Sequence, residues 1–142
     1  LPAVVESARA AFRAGLARRT RCLRVLYAEH NTPDVDIARR HLARHSPHIQ
    51  LEAVTTADEV LARLSGPGPQ PDVLLLDYRL RGLDALELIS LVQARGLARM
   101  PIVIVTGHGA EAVAVRALRL GVADYLIKRP GYLHELGPTL EN

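Results

Sequence analysis

Two runs along the chain contain no polar residue at all: Val73-Leu74-Leu75-Leu76 and Ile102-Val103-Ile104-Val105. A strand with one wet face alternates apolar and polar side chains, so unbroken runs of this length imply burial on both faces, as in the middle of a parallel sheet. Leu23 to Ala28, Ile49 to Val54 and Asp124 to Lys128 read as three further short strands. The segments between them carry helix punctuation. Asn31-Thr32-Pro33-Asp34 is a start signal, with Thr32 read as the N-cap and Pro33 as the first helical position, and Ser46-Pro47 stops that helix near His45. Thr56 caps a short helix to about Leu64, and the Gly- and Pro-rich stretch from Gly66 to Pro71 is a connection. Asp84 to about Arg95 is helical. Gly107-His108-Gly109 turns into a helix from about Ala110 to Leu120 that Gly121 closes, and a last helix follows Pro130-Gly131. Ahead of all this, Leu1, Val5, Ala8, Phe12 and Leu16 recur at helical spacing with arginines elsewhere, so residues 1–22 read as an amphipathic helical lead-in or linker from a preceding module.

Strand and helix alternate five times from residue 23 to residue 142. The predicted architecture is α/β: a five-stranded parallel, doubly wound, flavodoxin-like sheet, (βα)5, behind an extra N-terminal helix. The 142 residues suit one such domain. Charge changes the picture only locally. Residues 1–24 hold six arginines against one glutamate, a net +5, whereas the remainder holds 12 basic against 14 acidic residues, a net −2. The basic character therefore lies in the lead-in, and with 4% aromatic residues and no Trp there is little to stack on bases, so the domain is not expected to bind nucleic acid. No apolar run is long enough to span a bilayer, and the single cysteine, Cys22, cannot form an internal disulfide, so a cytoplasmic segment is expected. The chain starts at Leu1 and its one methionine is Met100, which suggests a piece cut from something longer.

Doubly wound sheets place chemistry at the C-terminal ends of their strands, near the point where strand order reverses. At those ends stand Glu29-His30-Asn31, Asp77, Thr106 and Lys128. A carboxylate following Val-Leu-Leu-Leu is poorly solvated by its own strand, and an amine and a hydroxyl from neighbouring strands would stabilise it and an anion attached to it. Lys128 is the sole lysine among 18 basic residues. An ammonium is a compact point charge, suited to a place where a guanidinium fork would not fit.

Four segments carry a family resemblance: Val-Leu-Tyr-Ala-Glu-His-Asn at 25–31, Val-Leu-Leu-Leu-Asp-Tyr-Arg-Leu-Arg-Gly-Leu-Asp-Ala-Leu at 73–86, Ile-Val-Ile-Val-Thr-Gly at 102–107 and Gly-Val-Ala-Asp-Tyr-Leu-Ile-Lys at 121–128. In this order they resemble the receiver domain of two-component response regulators, over residues 23 to about 140. The resemblance implies that Asp77 accepts a phosphoryl group from a histidine kinase or phosphotransfer protein, with Lys128 and Thr106 contacting the phosphoryl oxygens. Thr106 and Tyr125 would be the switch pair, and an altered surface would pass the signal to an output domain, an upstream module or a second copy of the chain. It also implies a phosphoacceptor domain that catalyses its own phosphoryl transfer rather than a turnover enzyme. Mg2+ would sit on Glu29, Asp77 and the Arg79 backbone carbonyl, and Arg79 and His108 would tune phosphate lifetime.

Two positions depart from that pattern. Where a second acid is usual stands His30, and imidazole suits Mg2+ poorly, so weak Mg2+ binding with Mn2+ tolerated is expected. His30 then either serves, when protonated, as a second cation or points away. In the latter case the fold is a pseudo-receiver, an interaction or dimerisation module independent of phosphorylation. Arg129 occupies the place where proline usually follows the lysine, which predicts a trans Lys128–Arg129 bond. A bulky Arg79 would shield an acyl phosphate and slow self-dephosphorylation. Other signals are weaker. Gly107 to Ala112 fits a dinucleotide fingerprint but in the wrong turn, without the acid at the end of the following strand. His41, His45 and His48 could share a helical face for a metal, but Pro47 interrupts the helix, so a solvated helix end is the reading adopted. Cys22 lacks the neighbours of a nucleophile.

Overall fold

The computed structural model describes residues 22–107 and 111–142, the side chain of Glu111 excepted. The expected helical lead-in over residues 1–22, except for Cys22 at its end, and the expected role of His108 fall outside them. The element order is β1 (Leu23–Ala28), α1 (Thr32–His45), β2 (Ile49–Val54), α2 (Ala57–Ser65), β3 (Val73–Asp77), α3 (Ala85–Ala94), β4 (Ile102–Thr106), α4 (Glu111–Arg119), β5 (Asp124–Ile127) and α5 (Tyr132–Glu141). All five strands are parallel, in the order β2-β1-β3-β4-β5. The chain leaves β1 for one edge and returns to β3 on its other side, so the reversal point lies between the C-terminal ends of β1 and β3.

The unalternating strands behave as their composition requires. Every residue of β3 and β4 is buried. On one face Leu26, Leu74, Leu76, Ile102 and Ile104 pack with Val60 and Leu64 of α2, Leu88, Ile89 and Val92 of α3 and Ala117 of α4. On the other, Val25, Tyr27, Val73, Leu75, Val103 and Val105 pack with Val35, Ala38 and Leu42 of α1 and Leu136 and Leu140 of α5. Each such fully buried Val, Leu or Ile side chain contributes about 1.5–3 kcal/mol relative to exposure, so these two layers fix the sheet on which the polar groups stand.

Helix starts follow the expected chemistry with one correction. Thr56 and Asp84 cap α2 and α3 by accepting the N–H of Glu59 and Glu87. For α1 the cap is Asn31, whose side-chain oxygen accepts the Asp34 N–H at 3.3 Å, so Thr32 is already helical. Asn and Thr both cap well, and the amide at 31 reaches the third residue beyond it. Gly121 and Gly131 adopt φ of 91° and 87°, turns that admit a side chain only with strain.

Candidate functional site

Parallel register brings the polar residues to one edge. Ala28 lies beside Leu76, Asp77 beside Val105 and Thr106 beside Ile127. Glu29 therefore follows β1 next to Asp77 at the end of β3, Thr106 closes β4, and Lys128 is the first residue after β5. Strand five was expected to include Lys128; it ends at Ile127, and the lysine N–H still bonds to the Thr106 carbonyl at 2.8 Å.

Glu29 is fully buried, and all its donors are local or brought by the fold. Its Oε1 accepts the Asn31 N–H at 3.1 Å; its Oε2 accepts the Tyr27 hydroxyl at 3.1 Å and the Lys128 ammonium at 2.7 Å. Lys128 also donates to Asp34 Oδ2 at 2.8 Å. Burial works against its charge, but the hydrogen bonds it donates to Asp34 and Glu29 prevail and hold its pKa above the usual lysine range. Burial and the neighbouring Glu29 likewise push the Tyr27 hydroxyl far up, so it stays a donor.

Asp77 is 6% exposed. Burial, followed by hydrogen bonding to and repulsion from Glu29, pushes its pKa up to about 7, against the Lys128 charge and the Arg79 main-chain N–H. His30 Nδ1 sits 3.4 Å from Asp77 Oδ2 and 3.5 Å from Glu29 Oε1, so the imidazole faces the two carboxylates rather than pointing away. Glu29, His30 and Asp77 each offer one ligand atom within 4.8 Å of the others, an arrangement able to hold a divalent cation. One nitrogen and two carboxylates suit Mn2+ better than Mg2+, which demands oxygen and octahedral geometry.

The remaining expected site residues fall nearby. Thr106 is buried at 3% exposure. The Tyr125 hydroxyl is enclosed without a partner of full hydrogen-bond geometry; burial and Tyr78 raise its pKa, and the adjacent Thr106 hydroxyl opposes them. Arg79 is exposed, and its backbone bridges to Asp84, which closes the loop after β3. The described residues contain no cis peptide bond, so Lys128–Arg129 is trans. Cys22 is exposed ahead of β1. His48 does not join His41 and His45: it pairs with Glu141 at 2.5 Å, and His134 of α5 takes its place beside the other two.

Sequence reasoning missed Asp34, Tyr27 and the Asn31 N–H as partners of this site. Asp34 reads in sequence as an acid in the first turn of α1, a placement that the helix dipole alone explains. That it reaches a lysine 94 positions away is a product of the fold.

The family model described as the response regulator receiver domain matches residues 25–135. The chain belongs to that family. Among curated relatives, the transcriptional regulatory protein FixJ of Bradyrhizobium diazoefficiens is 40% identical over 76 residues, 53% of this chain and 37% of that protein. FixJ of Azorhizobium caulinodans is 44% identical over 55 residues, 39% of this chain and 26% of that protein. The match thus covers about a quarter to somewhat over a third of the length of these two regulators. The structure of the phosphorylated cyanobacterial phytochrome response regulator RcpA superposes with a TM-score of 0.70 at 23% identity, covering 84% of this chain and 89% of that one. The Mn2+-bound form of response regulator Rcp1 gives 0.69 at 24% identity over 84% and 89%. These two likenesses show the fold. As a receiver domain of two-component response regulators, the chain is a signalling domain rather than a turnover enzyme, of a family that binds Mg2+ or Mn2+ at an acidic pocket. No helix among the described residues is long and apolar enough to cross a membrane.

Proposed function

We propose that Asp77 is the phosphoacceptor and that its donor is a phosphohistidine of a histidine kinase or phosphotransfer protein. The observation that carries the reading is the buried Asp77 carboxylate at the end of β3, flanked by Glu29 and His30 and within the field of Lys128. One Asp77 oxygen attacks phosphorus, the P–N bond of the donor breaks with its electron pair passing to the imidazole nitrogen, and an acyl phosphate remains on Asp77. A divalent cation held by Glu29, Asp77 and the Arg79 carbonyl, with His30 at its edge, supplies charge neutralisation of the phosphoryl oxygens when bound. Lys128 provides the second fixed positive charge and Thr106 the hydroxyl donor. Tyr125, packed beside Thr106, follows it when the hydroxyl turns to the phosphoryl group, reshaping the face of α4 and β5. Exposed Arg79 shields the acyl phosphate from water and lengthens its lifetime.

Residues 1–22 serve in this reading as a lead-in from a preceding module, and residues 23–142 as the receiver, which signals to an output domain, an upstream module or a second copy. The domain accelerates its own phosphorylation and works in the cytoplasm.

Intact-mass spectrometry after incubation with acetyl phosphate, in Mg2+, Mn2+ or chelator, tests the assignment. The expected result is one phosphoryl adduct, more abundant with Mn2+ than with Mg2+, lost with chelator and lost in Asp77→Ala. A folded wild type that takes no adduct from acetyl phosphate or from candidate kinases would overturn it in favour of a pseudo-receiver.

A further inference from the structure

Three imidazoles meet on the side of the molecule where α1 and α5 pack. His41 and His45 lie one turn apart on α1, with ring centroids 4.4 Å apart, and His134 of α5 stands 5.0 Å from His41 and 5.9 Å from His45. The approach of the two helices is set close by: Gly137, three residues past His134, packs on Ser46 so tightly that a Cβ would lie 2.8 Å from the Ser46 hydroxyl. Leu136 and Leu140 of α5 lock into the same core layer as Ala38 and Leu42 of α1. The backbone positions of the three histidines are therefore fixed, while His45 and His134 themselves are exposed and His41 is half-buried.

Imidazoles bound to one Zn2+ have metal–nitrogen distances of about 2.0–2.1 Å, which places ring centroids about 3.2 Å from the metal and about 4.5–5.2 Å from each other for angles between octahedral and tetrahedral. The observed separations bracket that range, and the widest exceeds it by less than an ångström. The nearest ring nitrogens of all three do not yet fall within 4.8 Å of one another. The proposed site calls for rotation of these rings about their side-chain torsions to close that gap. Burial, then the charges of His45 and His134, lowers the His41 pKa, so His41 favours the neutral imidazole that binds metal.

We propose that His41, His45 and His134 form a second metal site, separate from the carboxylate site, for a divalent ion that prefers imidazole, with Zn2+ its representative and water completing the coordination. Bound there, the ion ties α1 to α5. His41 and His134 also line a surface cleft with Lys128, Arg129 and Tyr132, so the tie borders the loop that carries the phosphoryl-site lysine.

The untagged chain is titrated with Zn2+ in competition with a chromophoric chelator, with imidazole NMR signals followed in parallel. Besides any Zn2+ taken up by the carboxylate site, one Zn2+ per chain is expected that is retained in His30→Asn, unchanged in His48→Ala and weakened at least tenfold in each of His41→Ala, His45→Ala and His134→Ala, with circular dichroism unaltered. The proposal is overturned by any of three results: no binding up to about 100 μM Zn2+, affinity lost in His30→Asn but kept in His134→Ala, or one Zn2+ per two chains. The phosphorylation assay is independent of all these readings, so the fate of one assignment leaves the other standing.

Discussion

Two clusters of titratable side chains lie on either side of the loop from β5 to α5, and they are built on opposite principles. Around Glu29 and Asp77 the charges are buried, and hydrogen bonds from Tyr27, Asn31 and Lys128 specify where each Glu29 oxygen points. Around His41 the groups are held only by their backbones; the rings touch one another and face solvent. Burial gives a fixed geometry and a strained charge balance, visible as an Asp77 pKa of about 7. Exposure gives neither. A site that must hold a tetrahedral anion in one orientation is served by the first design, and one that captures an ion by ring rotation is served by the second.

Breaking the buried cluster has the largest effect. Lys128→Met leaves Glu29 without its cation, and removing one partner of a buried pair costs about 3–5 kcal/mol, to be measured by urea unfolding at pH 7.5. Asp34→Ala removes only the half-exposed second partner and is expected to cost about 1 kcal/mol in the same assay.

A second effect on the buried cluster concerns pH. The folded Asp77 pKa lies above its unfolded value, so the native state binds the extra proton. The associated stability is present in full below about pH 4 and is lost as pH rises through about 7, amounting to at most about 4 kcal/mol. Metal-free Asp77→Asn is therefore expected to be more stable than wild type at pH 8, with the difference narrowing as pH falls toward 5. An equal loss of stability between pH 5 and 8 in both proteins would assign the effect to other groups.

The smallest effect belongs to the open cluster. His134→Ala without metal should change unfolding free energy by no more than about 0.5 kcal/mol, because an exposed ring leaves no cavity. Adding Zn2+ should then raise the melting temperature of wild type and leave that of His134→Ala in place.

The polar-free runs at 73–76 and 102–105 foretold two strands buried on both faces, and the β3 and β4 layers are built from them. Strand-end logic singled out Glu29, Asp77, Thr106 and Lys128, because in a parallel sheet the end of each strand is written into the chain as the last apolar residue before a polar one. What misled was local ambiguity. Asn31 and Thr32 are adjacent residues of similar capping power, and the choice between them depends on the angle at which the chain enters α1. His48 shares a nominal helical spacing with His41 and His45, but the turn at Pro47 redirects it to Glu141.

By itself the sequence determined the alternation of strands and helices, the parallel sheet and the identity of the groups at its edge, since these follow from periodicities of two and 3.6 residues and from where each period stops. The tertiary structure alone decided which distant groups meet. The bond from Lys128 to Asp34, the turning of His30 toward both carboxylates and the replacement of His48 by His134 depend on how α1 packs against the sheet and α5. Packing angles are set by the whole core at once, and no local window of the chain contains them.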